Sequence, residues 1–257
     1  MKKILFLGYS AKETKIIDKL KENKNYQIFH SKNKIKLKNL DDINFIISFG
    51  YRHIINEDIL KKKKKIINLH ISYLPYNKGA HSNFWAFAEN TPSGVSIHKV
   101  DKGIDTGNII NQKLLDLELN KNKKQLTFRK TYSTLIFEIE NLFMNNAKNI
   151  LNNEYDEFAQ VGSGTYRNAS ELPDILKSWD QNIFKTITKY QKERKEKINK
   201  KLQILSEIEN TRKNNNVNWM NILRNSVKSS SSKTLKILNS INTDDDKISK
   251  LFKKLND

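Results

Sequence analysis

The chain has 257 residues and a formal net charge of +19, from 47 Lys and Arg against 28 Asp and Glu. It contains no cysteine, which excludes a disulfide framework and a thiolate-held zinc site. No apolar run approaches the ~20 residues of a membrane span, and a chain of this size holds one or two domains with a sizeable core. The apolar stretch within residues 1–8 is too short for the h-region of a signal peptide, and no small-residue cleavage pattern follows it. It reads as a first buried strand, and a cytoplasmic protein is expected. The Lys excess runs along the whole chain and accompanies abundant Asn and Ile. Two readings stand: a solvated, codon-biased surface, or a polyanionic partner, which a nucleotide diphosphate would satisfy locally without any nucleic acid.

In chain order, residues 3–8 form a short apolar strand. Residues 10–22 place Ile16, Ile17 and Leu20 on one helical face, with Ser10 as the N-cap. Residues 26–30 and 45–49 read as strands, residues 56–60 begin a short helix, and residues 65–69 form a buried strand. This alternation is that of an α/β protein with a doubly wound, mostly parallel sheet. Gly8-Tyr9-Ser10 offers a single glycine, far from a dinucleotide fingerprint, so NAD is rejected. Residues 95–100 read as a strand and residues 101–107 as a Gly-punctuated loop. Residues 108–114 form a strand, and residues 125–151 a long helix with core-facing Leu135, Ile139 and Phe143. Residues 162–166 mark a loop, and Ser170 starts a helical turn.

From Trp179 the composition turns Lys/Glu-rich and free of Gly and Pro. Residues 180–210 should form a long amphipathic helix, broken at residues 212–216. Residues 219–224 look helical, and residues 229–232 read as a turn. Residues 233–241 and 247–255 read as two short helices, the second favoured by Asp244, Asp245 and Asp246 at its N-terminal dipole. The expected organisation is a catalytic domain over residues 1–178 and a helical extension of unassigned role over residues 179–257. An apolar line through Ile183, Ile187, Tyr190, Ile198, Leu202 and Leu205 wants a partner surface, and a homodimer is expected.

Asn68, His70 and Asp105 are the candidate chemical centre. An amide can donate to a developing oxyanion, an imidazole handles protons near neutrality, and a carboxylate can orient that imidazole. His70 closes a strand, where open α/β sheets place their chemistry. Taken singly, the three also read as a capping Asn, a loop His and a turn Asp; their joint placement is what points to a site.

The stretch from Ile66 to Ile110 resembles the formyltransferase family that uses 10-formyltetrahydrofolate. Asn68, His70, Ser72, Leu74 and Pro75 match its Asn-x-His-x-Ser-x-Leu-Pro motif. Gly79, the Gly94, Val95 and His98 strand, and Asp105 with Gly107 follow in family order and spacing. The similarity runs from about Lys2 to Trp179. It implies a Rossmann-like core and transfer of a formyl group from the folate N10 to a primary amine, with no metal. It implies that Asn68 donates to the oxyanion, that His70 stabilises it and relays protons, and that Asp105 orients His70 and takes the amine proton. The folate would lie between Tyr51, Arg52, His53 and Ile54 on one side and Val100, Asp101, Lys102, Gly103 and Ile104 on the other.

On the acceptor side, Lys78 stands where family members place a basic residue on a phosphate, and His81 follows in the same cleft-facing segment. Asn83 and Trp85 resemble the Asn-Phe-Trp run of enzymes acting on nucleotide-linked amino sugars. Trp85 reads equally as core, and His98 reads first as a structural strand residue, with a site role second. The implied function is N-formylation of a nucleotide-linked amino sugar for polysaccharide synthesis, without a nucleic-acid partner. Methionyl-tRNA formylation is the alternative favoured by charge and opposed by the helical tail. Glycinamide ribonucleotide formylation leaves that tail unexplained. A non-catalytic folate- or nucleotide-binding module is opposed by the intact Asn68, His70 and Asp105.

Overall fold

Three strands rich in Ile, Leu and Phe build the centre of the sheet. β1 (Lys2–Gly8), β3 (Phe45–Phe49) and β4 (Ile66–His70) are buried along most of their lengths, as parallel strands covered on both faces must be. The computed structural model describes residues 1–62, 65–117, 125–227 and 231–256. The sheet has six strands in the order β2-β1-β3-β4-β6-β7, with β2 spanning Tyr26–Ser31, β6 Gly94–Lys99 and β7 Ile109–Leu114. The first four in that order are mutually parallel; β6 runs antiparallel to β4, and β7 antiparallel to β6. The expected mostly parallel α/β sheet is therefore present, with an antiparallel turn-back at the edge that carries the candidate site.

Helices cover both faces. α1 (Ile16–Lys21) and α4 (Phe128–Asn152) pack against Ile4, Phe6, Ile47 and Val95 through Ile16, Leu20, Leu135, Ile139 and Phe143. The i, i+4 spacing of Leu135, Ile139 and Phe143 gives α4 its buried stripe, and each such side chain contributes about 1.5–3 kcal/mol of burial. Thr127 caps α4, its hydroxyl accepting from the Lys130 amide at 3.3 Å. Beneath the other face lie Leu5, Leu7, Ile46 and Ile66 with Ile59 of α2 (Glu57–Lys62). β5 (Lys78–Gly79) pairs with β8 (Tyr166–Arg167) in a separate two-stranded ladder, and α3 (Ser82–Ala88) follows β5.

α1 is shorter than expected and Ser10 does not cap it. The Ser10 amide and hydroxyl both donate to the Glu13 carboxylate, at 2.9 and 2.7 Å, and close a turn of their own. Entry into α1 is set instead by Thr14, whose buried hydroxyl donates to Glu140 of α4 at 2.7 Å.

The chain splits into two compact units, Met1–Thr188 and Lys189–Asp257. Residues 179–188, grouped by composition with the extension, belong to the first. α5 (Ile183–Val227) begins there, and α6 (Ser231–Asn256) completes the second unit. Two sequence expectations fail in this second unit. Residues 212–216 do not break α5, and residues 233–241 and 247–255 are one helix with Asp244, Asp245 and Asp246 inside it. The reason is tertiary: α5 and α6 pair as an antiparallel hairpin, with Ile204 and Ile208 against Ile248 and Leu251. Asn215 donates to Asp245 at 2.6 Å and Asn218 to Ser240 at 3.2 Å across the seam. Packing of this kind outweighs the small propensity deficit of Asn and Asp. Of the turn expected at residues 229–232, residues 229 and 230 lie outside the described residues. The apolar line also divides: Ile183 and Ile187 are buried in the first unit, whereas Ile198, Leu202 and Leu205 are exposed. Among the described residues, no helix is long and apolar enough to cross a membrane.

Candidate active site

β4 delivers Asn68 and His70 to the edge of the sheet on one face, because alternate strand residues point the same way. The β4–β6 register sets Asn68 opposite His98 and His70 opposite Ser96. Asp105 arrives from the loop between β6 and β7. That loop is pinned at one end by the Asp101 carboxylate, which accepts from the Gly103 amide at 3.0 Å and the Thr106 hydroxyl at 2.7 Å. At the other end only glycine fits at 107, since a Cβ there would lie 1.9 Å from the Lys99 carbonyl oxygen. Asp105 itself is held at φ 53, left-handed and uncommon for a residue with a side chain. The Gln160 side-chain amide donates to the carbonyls of Asp105 and Gly107, at 2.8 and 2.9 Å, and fastens this conformation. An antiparallel bridge between Phe158 and Ile109 aligns the Gln160 segment with the loop.

The three expected residues converge. Asp105 Oδ1 accepts from Asn68 Nδ2 at 3.1 Å, and Oδ2 lies 3.7 Å from His70 Nδ1. Oδ2 also accepts from the Gly79 amide at 2.8 Å. His98 joins the cluster, with Nε2 at 3.4 Å from Asp105 Oδ1 and 3.2 Å from Asn68 Nδ2. Burial by itself would raise the Asp105 pKa, but the neighbouring His70, the hydrogen bond to His98 and the Gly79 amide outweigh it. They hold the carboxyl well below the usual carboxylate range, so it is ionised at neutral pH.

Hydrogen-bond partners assign the protons. His70 Nε2 faces the Asn77 carbonyl at 3.2 Å. A carbonyl can only accept, so Nε2 carries a proton and Nδ1 is the atom turned to Asp105. His98 Nδ1 donates to the Lys99 carbonyl at 2.8 Å by the same rule. Asn68 Nδ2, Asp105 Oδ1 and His98 Nε2 form a nearly equilateral triangle. The two amide hydrogens diverge by about 120°, so when one points at Asp105 Oδ1 the other is directed away from it. The second N–H of Asn68 is left for an oxygen outside the cluster, which is what oxyanion stabilisation requires.

The expected folate-side residues occupy two loops. Tyr51 uses its hydroxyl to donate to the Asn33 carbonyl at 3.0 Å and accept from the Ile35 amide at 3.1 Å, so its ring braces the fold. Burial raises its pKa. His53 packs edge-on against that ring, and Arg52 sits exposed between them. Ile54 and Ile104 present exposed apolar surface. Asp101 is spent on its own turn, Lys102 and Gly103 are exposed, and Val100 packs on the core beneath.

On the acceptor side the residues separate. Lys78 is half-buried in β5, immediately before the amide that binds Asp105. His81 precedes α3 at φ 58, its ring 5.8 Å from that of Trp179, and burial lowers its pKa. Asn83 is spent on structure: buried, it donates to the Phe128 carbonyl at 2.9 Å and accepts from the Thr131 hydroxyl at 3.0 Å. Trp85 is also buried and packs under the Arg167 guanidinium, 4.6 Å from the ring centroid. Both side chains are thus engaged within the fold, and for Trp85 this is the core reading. An Asn-Phe-Trp run on a short helix turns these side chains inward to meet α4 and β8.

The sequence reading missed Gln160 and the Gly79 amide. Neither leaves a local signal, because one acts on a loop 53 to 55 residues away and the other through its backbone. Among the described residues no group of His, Asp or Glu could hold a metal ion.

A sheet edge presenting an amide, an imidazole and a buried carboxylate in this geometry can stabilise an oxyanion and move a proton, the two tasks of acyl transfer. Residues 3–133 match the formyl transferase family model, and the chain belongs to that family. PseJ from Anoxybacillus kamchatkensis is 37% identical, with a TM-score of 0.64. The alignment covers 72% of this chain and 97% of that one. That structure was solved with UDP-4,6-dideoxy-4-formamido-L-AltNAc and tetrahydrofolate. The GDP-perosamine N-formyltransferase of Brucella melitensis is 32% identical over 134 residues, 51% of this chain and 49% of the relative. The bifunctional polymyxin resistance protein ArnA of Wigglesworthia glossinidia brevipalpis is 30% identical over 176 residues, 63% of this chain and 26% of the relative. The chain thus spans about half or less of these curated relatives.

Proposed function

We propose that the protein transfers a formyl group from 10-formyltetrahydrofolate to the primary amine of a nucleotide-linked amino sugar. The observation that carries this is the Asn68, His70 and Asp105 cluster, in a chain similar along 97% of a protein crystallised with a formamido sugar nucleotide and tetrahydrofolate. In this reading the amine lone pair attacks the formyl carbon and the C=O electrons move to oxygen. The outward N–H of Asn68 meets that oxygen, and His70 adds positive charge beside it once its pair with Asp105 holds the amine proton. The amine gives its proton to the Asp105–His70 pair. The oxyanion re-forms its C=O bond as the C–N10 bond breaks, and N10 leaves with the proton passed on by the Asp105–His70 pair.

Lys78, half-buried beside this cluster, is the residue proposed to meet an acceptor phosphate. The loops bearing Ile54 and Ile104 are proposed as walls for the pterin, which needs apolar surface for its faces and backbone groups for its edge. The test supplies 10-formyltetrahydrofolate with a panel of UDP-, GDP- and dTDP-linked amino sugars, beginning with a UDP-linked 4-amino sugar. Tetrahydrofolate release together with an acceptor mass increased by one CO supports the proposal. No release with any amino sugar refutes it.

A further inference from the structure

The second unit carries a surface that the chemistry above does not use. On a 3.6-residue repeat, Ile198, Leu202, Leu205, Met220 and Leu223 fall on one stripe of α5, with Trp219 at its border. Each is 47 to 57% exposed. This stripe is separate from the seam with α6, which uses Ile204 and Ile208. Its flanks are basic on both sides, with Arg194 along one and Lys195, Lys213 and Arg224 along the other, all exposed; Arg212, on the Arg194 side, lies over the Phe252 ring of α6, 5.4 Å from its centroid. Glu193, Glu196 and Glu207 lie on the far side of the helix, and only Glu209 falls within the stripe. Residues 189–257 hold 17 Lys and Arg against 8 Asp and Glu, a net +9. The other 188 residues hold 30 against 20, a net +10. The second unit is therefore the more basic of the two per residue.

We infer that this stripe docks on an anionic lipid surface. An apolar band bearing a Trp and rimmed by Lys and Arg is what an interfacial helix presents: the apolar side chains enter the acyl boundary and the long basic side chains reach lipid phosphates. From Ile198 to Leu223 the stripe runs ~38 Å at 1.5 Å per residue. It is interrupted by Glu209 and Asn216. A lipid interface keeps such groups hydrated, whereas a packed protein seam would have to pair each one. A second copy of the chain is the weaker occupant, because it would bring two basic rims into contact. The assignment is independent of the activity proposed above.

The test sediments the full-length protein with vesicles. Binding is expected to vesicles containing phosphatidylglycerol, at least about tenfold weaker to pure phosphatidylcholine, and lost at about 0.5 M NaCl. The triple variant Trp219→Ser, Met220→Ser, Leu223→Ser should weaken binding about tenfold or more. The variant Lys195→Glu, Lys213→Glu, Arg224→Glu should do the same while leaving every apolar side chain in place. All six positions are exposed, so helix content by circular dichroism should be unchanged in both. No binding to anionic vesicles, equal binding to both vesicle types, or wild-type binding by both variants overturns the inference. So does a dimer in sedimentation velocity that the apolar variant dissociates, or binding to polyglutamate with none to vesicles, which would assign the stripe to a second copy or to an acidic protein.

Discussion

Replacing Gln160 by Ala isolates the support of the site from its chemistry. The Gln160 amide makes two hydrogen bonds, 2.8 and 2.9 Å, to the carbonyls of Asp105 and Gly107, and touches neither Asn68 nor His70 in any hydrogen bond. A net hydrogen bond contributes about 1 kcal/mol, so the pair stabilises the loop by about 2 kcal/mol. The opposing term is the left-handed Asp105 at φ 53, a conformation that costs on the order of 1–3 kcal/mol and persists only when its surroundings enforce it. The two are of similar size, so losing the amide should let the loop relax and withdraw the carboxylate from Asn68 and His70. A loss of about 2 kcal/mol corresponds to roughly thirtyfold in kcat/KM. Gln160→Glu should be at least as damaging, since a carboxylate facing two carbonyls has no proton to give them. Steady-state formyl transfer is the assay, with a thermal melt beside it. Wild-type kcat/KM in Gln160→Ala would refute the argument; so would an activity loss matched in full by global unfolding, which would make Gln160 a general stabiliser only.

Asn68→Ala and His70→Ala should each lower turnover by roughly 10²–10³-fold, the scale for removing a transition-state hydrogen-bonding group, and full activity in either would remove its assigned role. Asp105 has a folded pKa below its unfolded value of about 3.9. Its contribution to stability is thus fully present above that value and lost as pH falls through the depressed folded value. Wild type and Asp105→Asn should therefore differ most in melting temperature above about pH 4 and converge below it; a gap that does not change with pH would contradict the charge argument. Lys78→Ala should raise the acceptor KM more than it lowers kcat, because a phosphate contact is the same in ground and transition states, and the effect should shrink in high salt. An unchanged KM would make Lys78 a solvated surface residue.

Residue order alone makes the first half of this protein legible. Runs such as Ile66, Ile67 and Leu69 are too apolar and too short to be anything but buried strands, and their spacing with α1 and α2 requires a layered α/β sheet. The presence of Asn68, His70 and Asp105 is written in the chain, whereas the need for glycine at 107 comes from the approach of the Lys99 carbonyl. Local pattern misjudged the polar stretches of the second unit. Asn215 reads as part of a helix break and Asp245 as part of a helix start until each becomes the other's partner across the hairpin. Nor does it give the direction of Asn83 and Trp85, which depends on where α4 and β8 pass. The positive φ of Asp105, the support from Gln160 and the Gly79 amide, and the entry of His98 into the cluster exist only once distant segments meet. The reason is range: burial periodicity and turn chemistry act within a few residues and survive in a linear reading, whereas hydrogen bonds across 30 to 55 residues have no local trace and are decided by packing.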